Sequence, residues 1–363
     1  MAGCLYTRHT FRHEEHEGRT KNTNSVNHFV LFKAFFVFIK TMSTNLFENG
    51  KQVRRPVANT SLMVTPLCIG CAPLGDMPDT FAYSVTEEQA LATVRAIFNS
   101  DINFLDTAYS YGDGESERRI GLVLKEYGGK VPEGYVLASK SDRNLQTKDF
   151  SGPQMRKSVE RSLKLLGLNS IDIMHLHDPE HTTFENVMSK GGPLEVLQQM
   201  QSEGLIKHLG VAGGPIDMEI KYVETGAFSM VITHNRYTLL NRVAEPLLEA
   251  AHKRGVAVFN AAPYGSGILA KGPSAYPRFA YREADAEMVD RAFKLEAVCK
   301  KYDVPLAAAA LQFSLRDPRI TSTIIGMSKP ERIQQTIDLA MLPIPEVLWT
   351  ELDAAAPPVN IEI

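Results

Sequence analysis

From Leu67 onward the chain repeats one pattern eight times: a short apolar run, turn signals, then a longer amphipathic stretch. The apolar runs, read as strands, lie at 66–70, 102–106, 135–140, 171–176, 207–212, 229–234, 256–261 and 321–326. The intervening stretches read as helices at 87–100, 115–127, 153–167, 192–203, 216–225, 242–254 and 286–302, with an eighth at 330–340. In the first of these, Ala90, Leu91, Val94, Ile97 and Phe98 recur at helical spacing. Thr86, with Gln89 three residues on, forms a capping-box signature ahead of it. Met155, Val159, Leu163 and Leu166 repeat the spacing, and Gly167 follows as a stop signal. Eight strand–helix pairs without a composition break predict one closed parallel α/β barrel. An open doubly wound sheet is the alternative. It calls for a glycine-rich turn after the first strand, whereas Gly265-Ser-Gly267 comes late and has Ala270 where a third glycine would fall.

In an eight-stranded (β/α) barrel of the TIM type, chemistry belongs at the C-terminal ends of the strands. Asp106, Lys140 and His177 end the second, third and fourth strand candidates, and Tyr111 follows Asp106 by five residues against Gly112. A phenol has an unperturbed pKa of about 10 and is a poor acid/base near neutrality. A neighbouring ammonium favours the phenolate, and a carboxylate keeps that ammonium charged and aimed. Lys140 at the end of an apolar strand needs such a partner to be buried cheaply. His177 is expected to hydrogen-bond and orient the substrate oxygen. His175 lies two residues earlier on the same strand face and reads as a barrel-interior residue. The two histidines have no third ligand at metal-site spacing, so no metal is expected. Cys68 and Cys71 have redox spacing but lie on the first strand with no helix directly after, and buried reduced thiols are the expectation.

Composition is ordinary for a soluble enzyme, with 44% hydrophobic and 22% charged residues. A net charge of -3 gives no basic excess for nucleic acid. Four scattered cysteines form no disulfide framework, and a cytoplasmic location is expected. The first 41 residues differ from the rest. They are polar and irregular, with His9, His13, His16 and His28, and then carry the apolar run Phe29–Ile39 interrupted by Lys33. That run is too short for a membrane span of about 20 residues, and no small-residue cleavage site follows it cleanly. Residues 1–41 are therefore read as a disordered or artefactual extension, and 42–363 as a single barrel domain. The loops at 71–85, 141–152, 177–191 and 263–285 are expected to rim the pocket and choose the substrate.

The segment Asp106-Thr-Ala-Tyr-Ser-Tyr111-Gly with Glu115-Ser-Glu117, the Ser139-Lys140 strand end, and Asp172 followed by His177 resemble the motifs of the aldo-keto reductase superfamily over residues 53–345. His234-Asn-Arg-Tyr-Thr-Leu-Leu240 and Asn260–Leu269 resemble its aldose dehydrogenase branch. The resemblance implies a tetrad of Asp106, Tyr111, Lys140 and His177. It also implies NAD or NADP held by His234, by Pro263, Tyr264, Gly265, Ser266, Gly267 and Leu269, and by Gly326, Met327, Arg332 and Gln335. Several positions depart from the family pattern. His234 replaces a usual Gln, Ala212-Gly213 a Ser-Asn pair, Ala261 an aromatic (leaving Tyr264 or Asn260 to compensate), and Gln335-Thr336 a Glu-Asn pair. Gly326 replaces a lysine seen in NADP-preferring members, so Arg332 is the one cation expected at the ribose, which leans the expectation modestly to NAD. The implied activity is oxidation of the anomeric carbon of an aldose to a lactone. An aldehyde reductase, a pyridoxal dehydrogenase or a non-catalytic cofactor-sensing barrel are the alternatives, and the only partner expected is a small molecule.

Overall fold

The computed structural model describes residues 46–48 and 51–363. The expectation for residues 1–41 lies outside them. The elements below all belong to the compact unit Asn45–Ile363.

Eight parallel strands close into a barrel: β1 (Leu67–Gly70), β2 (Phe104–Asp106), β3 (Val136–Ser141), β4 (Ile171–His177), β5 (Ile206–Ala212), β6 (Met230–His234), β7 (Ala257–Ala261) and β8 (Ile320–Gly326). They pair in sequence order, and β8 closes on β1 with Thr323 opposite Leu67. The doubly wound alternative is thereby excluded. All eight expected strands are present, with ends shifted by at most two residues. Around them run α1 (Glu87–Ile97), α2 (Glu115–Glu126), α3 (Gly152–Leu166), α4 (Pro193–Ser202), α5 (Ile216–Glu224) and α6 (Glu245–Arg254). Thr86 accepts the Gln89 N–H at 3.3 Å at the start of α1, which satisfies one of the free donors of a first turn. Gly167 ends α3 in the left-handed region at φ 68°, a conformation glycine adopts without steric cost.

After β7 the path differs from the expectation. The expected helix is present as α7 (Ala286–Lys301), but the helix that covers the barrel before β8 is α8 (Leu306–Leu315). It packs on β8 and on α9 (Glu331–Met341), whereas α7 packs against α10 (Glu346–Ala355). Leu306, Ala308, Ala309, Ala310, Leu311, Ser314 and Leu315 are all buried, so α8 is covered nearly all round. A helix buried on every side carries no amphipathic period, which is why the spacing did not reveal it.

The barrel interior holds Cys68, Phe104, Ala138, Ile173, Met230, Ile232 and Phe259. Phe104 and Phe259 meet edge to face at 4.9 Å between ring centres. A short hairpin, Arg55–Pro56 with Met63–Val64, closes the N-terminal end and adds Val57 and Val64 to the interior. Asn103, just before β2, ties it in. Its side chain accepts the Thr65 N–H at 2.8 Å and donates to the carbonyls of Met63 at 2.9 Å and Gly134 at 2.7 Å. With one end plugged, the open C-terminal end is left for chemistry.

Candidate active site

Asp106, Tyr111, Lys140 and His177 line one cavity of about 400 Å³ at the C-terminal end of the barrel. The strands bring three of them together directly. Asp106 lies opposite Ala138 across β2–β3, and Lys140 lies opposite His175 across β3–β4. The Lys140 ammonium donates to Asp106 Oδ1 at 2.7 Å, Asp106 Oδ2 at 2.5 Å and the Thr107 carbonyl at 2.8 Å. Both side chains are nearly inaccessible, at 3% and 4%. Burial pushes the Asp106 carboxyl up and Lys140 opposes it. Burial pushes the Lys140 ammonium down, and Asp106 and Tyr111 more than offset it. The two tendencies conflict, and the three short contacts favour the charged pair.

Tyr111 sits half-buried on the cavity wall with the Lys140 nitrogen 4.8 Å from its ring centre. Its loop rests backbone to backbone on Gly75. A Cβ at Gly112, whose φ is +68°, would lie 1.9 Å from the Gly75 carbonyl oxygen, so this approach requires glycine. Lys140 does lower the phenol's pKa as expected, but loss of water is the larger effect and the net direction is upward. The expected net lowering is corrected here: the phenol at rest stays protonated. His177, with its ring perpendicular to that of Tyr111 at 6.5 Å, lies 2.6 Å through Nδ1 from Asp142 Oδ1 and 3.4 Å through Nε2 from Asp178 Oδ1. His175 is fully buried in the barrel interior with both ring nitrogens unpartnered among the described residues. Burial, then Lys140 and His177, hold it well below the usual histidine range, so it is neutral. Cys68 and Cys71 are buried, and burial pushes both thiols up, away from thiolate.

A second cavity of about 250 Å³ adjoins the first and shares Pro73, Phe81, Ala262, Tyr281 and Gly326 with it. Among the residues expected to hold a cofactor, Pro263, Tyr264, Ser266, Gly267, Gly326 and Arg332 line it, and His234 lines the larger one. Gly265, Leu269 and Met327 are buried without lining either cavity, and Gln335 is exposed on α9. Ala212, Gly213 and Ala261 line the larger cavity, whereas Asn260 is buried in hydrogen bonds to the Tyr237 carbonyl and Ser314. Burial, then Arg236, push the His234 imidazole down to about 4. The loops at 71–85, 177–191 and 263–285 supply lining residues, but the loop expected at 141–152 supplies none.

The sequence reading missed three residues here. Tyr281, from the loop before α7, lines both cavities and stacks on His234 at 6.2 Å. Lys271 lines the smaller cavity beside Arg332 and lies over Tyr276 at 3.9 Å. Neither has a local sequence signal, because both sit in the long connection after β7, Lys271 at the end of its short helix Ile268–Lys271. Asp142 had one: it stands two residues beyond Lys140, the spacing that repeats one face of a strand.

The family model for "Aldo/keto reductase family" matches residues 66–357. The chain is 31% identical to an L-galactose dehydrogenase of Arabidopsis thaliana, over 84% of this chain and 95% of that one. It is 30% identical to a pyridoxal 4-dehydrogenase of Microbacterium luteolum (82% and 96% covered). It is 29% identical to a D-threo-aldose 1-dehydrogenase of a Pseudomonas species (82% and 96% covered). The fold matches the holo form of an aldo-keto reductase from Bacillus halodurans with a TM-score of 0.70 and 23% identity, covering 85% and 98% of the two chains. A parallel barrel closed at one end, a cavity with Asp106, Tyr111, Lys140 and His177 in its lining at the other, and a family match across nearly the whole barrel lead to one conclusion: the chain belongs to the aldo/keto reductase family of NAD(P)-dependent oxidoreductases.

Proposed function

We propose that the chain oxidises the anomeric carbon of a neutral aldose to a lactone. Asp106, Tyr111, Lys140 and His177 act as its tetrad. The observation that carries this reading is that all four line one cavity, with the buried Lys140–Asp106 pair directly behind the Tyr111 ring. Tyr111 takes the anomeric hydroxyl proton as the C1 hydrogen leaves as hydride, and in the reverse direction returns it to the carbonyl oxygen. Lys140 steadies the phenolate while Asp106 keeps Lys140 charged. His177 orients the reacting oxygen through Nε2.

The cavity's charge supports a neutral substrate. Asp178 and Glu180 line it, its single lysine is committed to Asp106, and the His177 imidazole lies between the carboxylates of Asp142 and Asp178. Carboxylates accept hydrogen bonds from sugar hydroxyls and repel phosphates and carboxylates. This favours an aldose over an anionic sugar. Pyridoxal and simple aldehydes remain substrates to be tested on the same tetrad.

The adjoining cavity fits a dinucleotide. It has two cations (Lys271 and Arg332), an unpartnered buried Arg332 Nε, and walls formed by Tyr83, Tyr264 and Tyr276. Gly267, at φ +128°, leaves room a Cβ would take from Tyr276. Bound there, NAD(P) would supply the hydride acceptor. The lean to NAD assumed one cation at this position. Lys271 adds a second, and we propose use of both nucleotides with discrimination set by this pair.

An absorbance screen for reduced cofactor tests the reading, with NAD and NADP each against L-fucose, D-arabinose, L-galactose, D-xylose, a hexose 6-phosphate and pyridoxal. Turnover of a neutral aldose, with the phosphate ester at least tenfold poorer in kcat/KM, is expected. Turnover of pyridoxal or of aldehydes in reduction alone would replace the aldose reading. No turnover in either direction would favour the cofactor-sensing barrel.

A further inference from the structure

We infer that Asp142 is a positioning residue that sets both the proposed acid/base loop of Tyr111 and the substrate-orienting His177 from a single carboxylate. It holds the His177 ring through Oδ1 and the Tyr111 loop through Oδ2. The inference rests on the roles proposed above for Tyr111 and His177. Asp142 Oδ1 lies 2.6 Å from His177 Nδ1, and Asp142 Oδ2 accepts the backbone N–H of Ser110 at 3.1 Å. Ser110 directly precedes Tyr111 and itself lines the larger cavity. The Asp142 side chain is 5% exposed, and its backbone is pinned as well. Its N–H donates to Ser158 Oγ at 2.8 Å, and its carbonyl accepts the Gln154 side-chain N–H at 3.1 Å. A carboxylate anchored from both sides and bonded to the Tyr111 loop and to the end of β4 fixes their separation.

The chemistry of the contact fixes more than distance. An ionised carboxylate only accepts, so Nδ1 carries the proton at the 2.6 Å contact, and Nε2, approached by Asp178 Oδ1 only at the longer 3.4 Å, is the nitrogen left to work. When His177 is charged, Nε2 donates to a substrate oxygen; when it is neutral, Nε2 accepts from a hydroxyl. Burial lowers the imidazole, but Asp178 and Asp142 more than offset it, so His177 stays charged above the usual histidine range. His177 in turn holds Asp142 below the usual carboxylate range, against the upward push of burial. The other groups acting on this histidine are Lys140, which opposes its charge, and Asp106, Glu180, His175 and His234 around it. Only Asp142 bonds Nδ1 among the described residues.

Histidine-ring NMR on the full chain tests this, with His177→Gln used to assign the resonance. In the wild type His177 is expected to titrate above about 6.5 and, when neutral, to be the Nδ1–H tautomer. Asp142→Asn is expected to lower that titration by about one pH unit or more, the effect of removing an opposite charge at contact distance. It should also cut kcat by about ten- to a hundredfold, as small misplacements do, with the nucleotide KM unchanged. A wild-type His177 that titrates at or below 6.5, or that is Nε2–H when neutral, would overturn the inference even if Asp142→Asn failed to fold. An Asp142→Asn protein with unchanged titration and kcat would overturn it too. The NMR arm needs no substrate, so its failure is separable from failure of the aldose reading.

Discussion

In the proposed chemistry Tyr111 carries the largest burden of any single residue, and its setting divides the two directions of reaction. Its phenol is held protonated by lost hydration despite Lys140, which suits delivery of a proton to a carbonyl oxygen. Oxidation needs the phenolate, so oxidative turnover should rise with pH, whereas reductive turnover should stay level through the neutral range and fall only above the ordinary phenol value of about 10. Tyr111→Phe should cut both by roughly 10²–10⁴ without loss of nucleotide binding, as measured by turnover and by nucleotide titration. Retained turnover would remove Tyr111 from the chemistry. At the other end of the groove, Lys271→Ala and Arg332→Ala should each weaken NADP more than NAD, because a 2′-phosphate needs charge-assisted partners and a hydroxyl does not. The comparison is of the two Michaelis constants in each variant, and equal losses for both nucleotides would deny the pair any role at the ribose. Residue by residue, the four members of the proposed tetrad stand out in the sequence because each ends or follows a strand, and the structure places all four on one cavity. Asp142, Lys271 and Tyr281 could not be given partners, since theirs lie on segments tens of residues away.

Among the helices, α2 carries an unusual load for one that packs on a barrel. Its Glu117 is fully buried, accepts the Ser139 hydroxyl at 2.6 Å, and has its other oxygen unpartnered among the described residues. Burial pushes its carboxyl up to about 7. An unfolded glutamate releases its proton near about 4.3. Between those values the folded protein therefore binds more protons, and stability falls as pH rises through the window. The stabilising protonated form is fully present below about 4.3 and is lost as pH passes about 7. Glu117→Gln, which keeps the shape and removes the charge, should flatten the dependence of melting temperature on pH between 5 and 8. Calorimetry at both ends of that range decides it, and an identical drop in wild type and variant would exclude Glu117 as the source. The helices also show where reading by period stops. Those with one apolar stripe, such as α1 and α3, are visible in the sequence. The helix α8 is apolar all round because α7 and α9 cover what the barrel does not, and its alanine-rich run offers no stripe to read.

Across the whole molecule the family match, residues 66–357, spans nearly all of the barrel and leaves the N-terminal stretch unmatched. We expect a chain beginning at Met42 to equal the full chain in melting temperature and specific activity, because residues 1–41 carry no helical or strand period and no expected site residue. A fall of several degrees or a large loss of activity would show that the removed residues pack on the barrel. Among the described residues no helix is long and apolar enough to cross a membrane. The sequence by itself determined the barrel, because eight alternations of strand and helix period admit few other closed arrangements. It also determined which residues stand at the catalytic end, since the end of each strand is a local property. Tertiary structure alone decided which groups come together there: Asp142 with His177, Tyr281 with His234, and Lys271 and Arg332 on the lining of one cavity. Those meetings join segments up to about 60 residues apart through barrel closure and loop packing, and no local period encodes them. Tertiary structure also decided the protonation of Tyr111, His175 and Glu117. That balance depends on how much water each loses and which charges come near, and both are set only once the chain has closed around them.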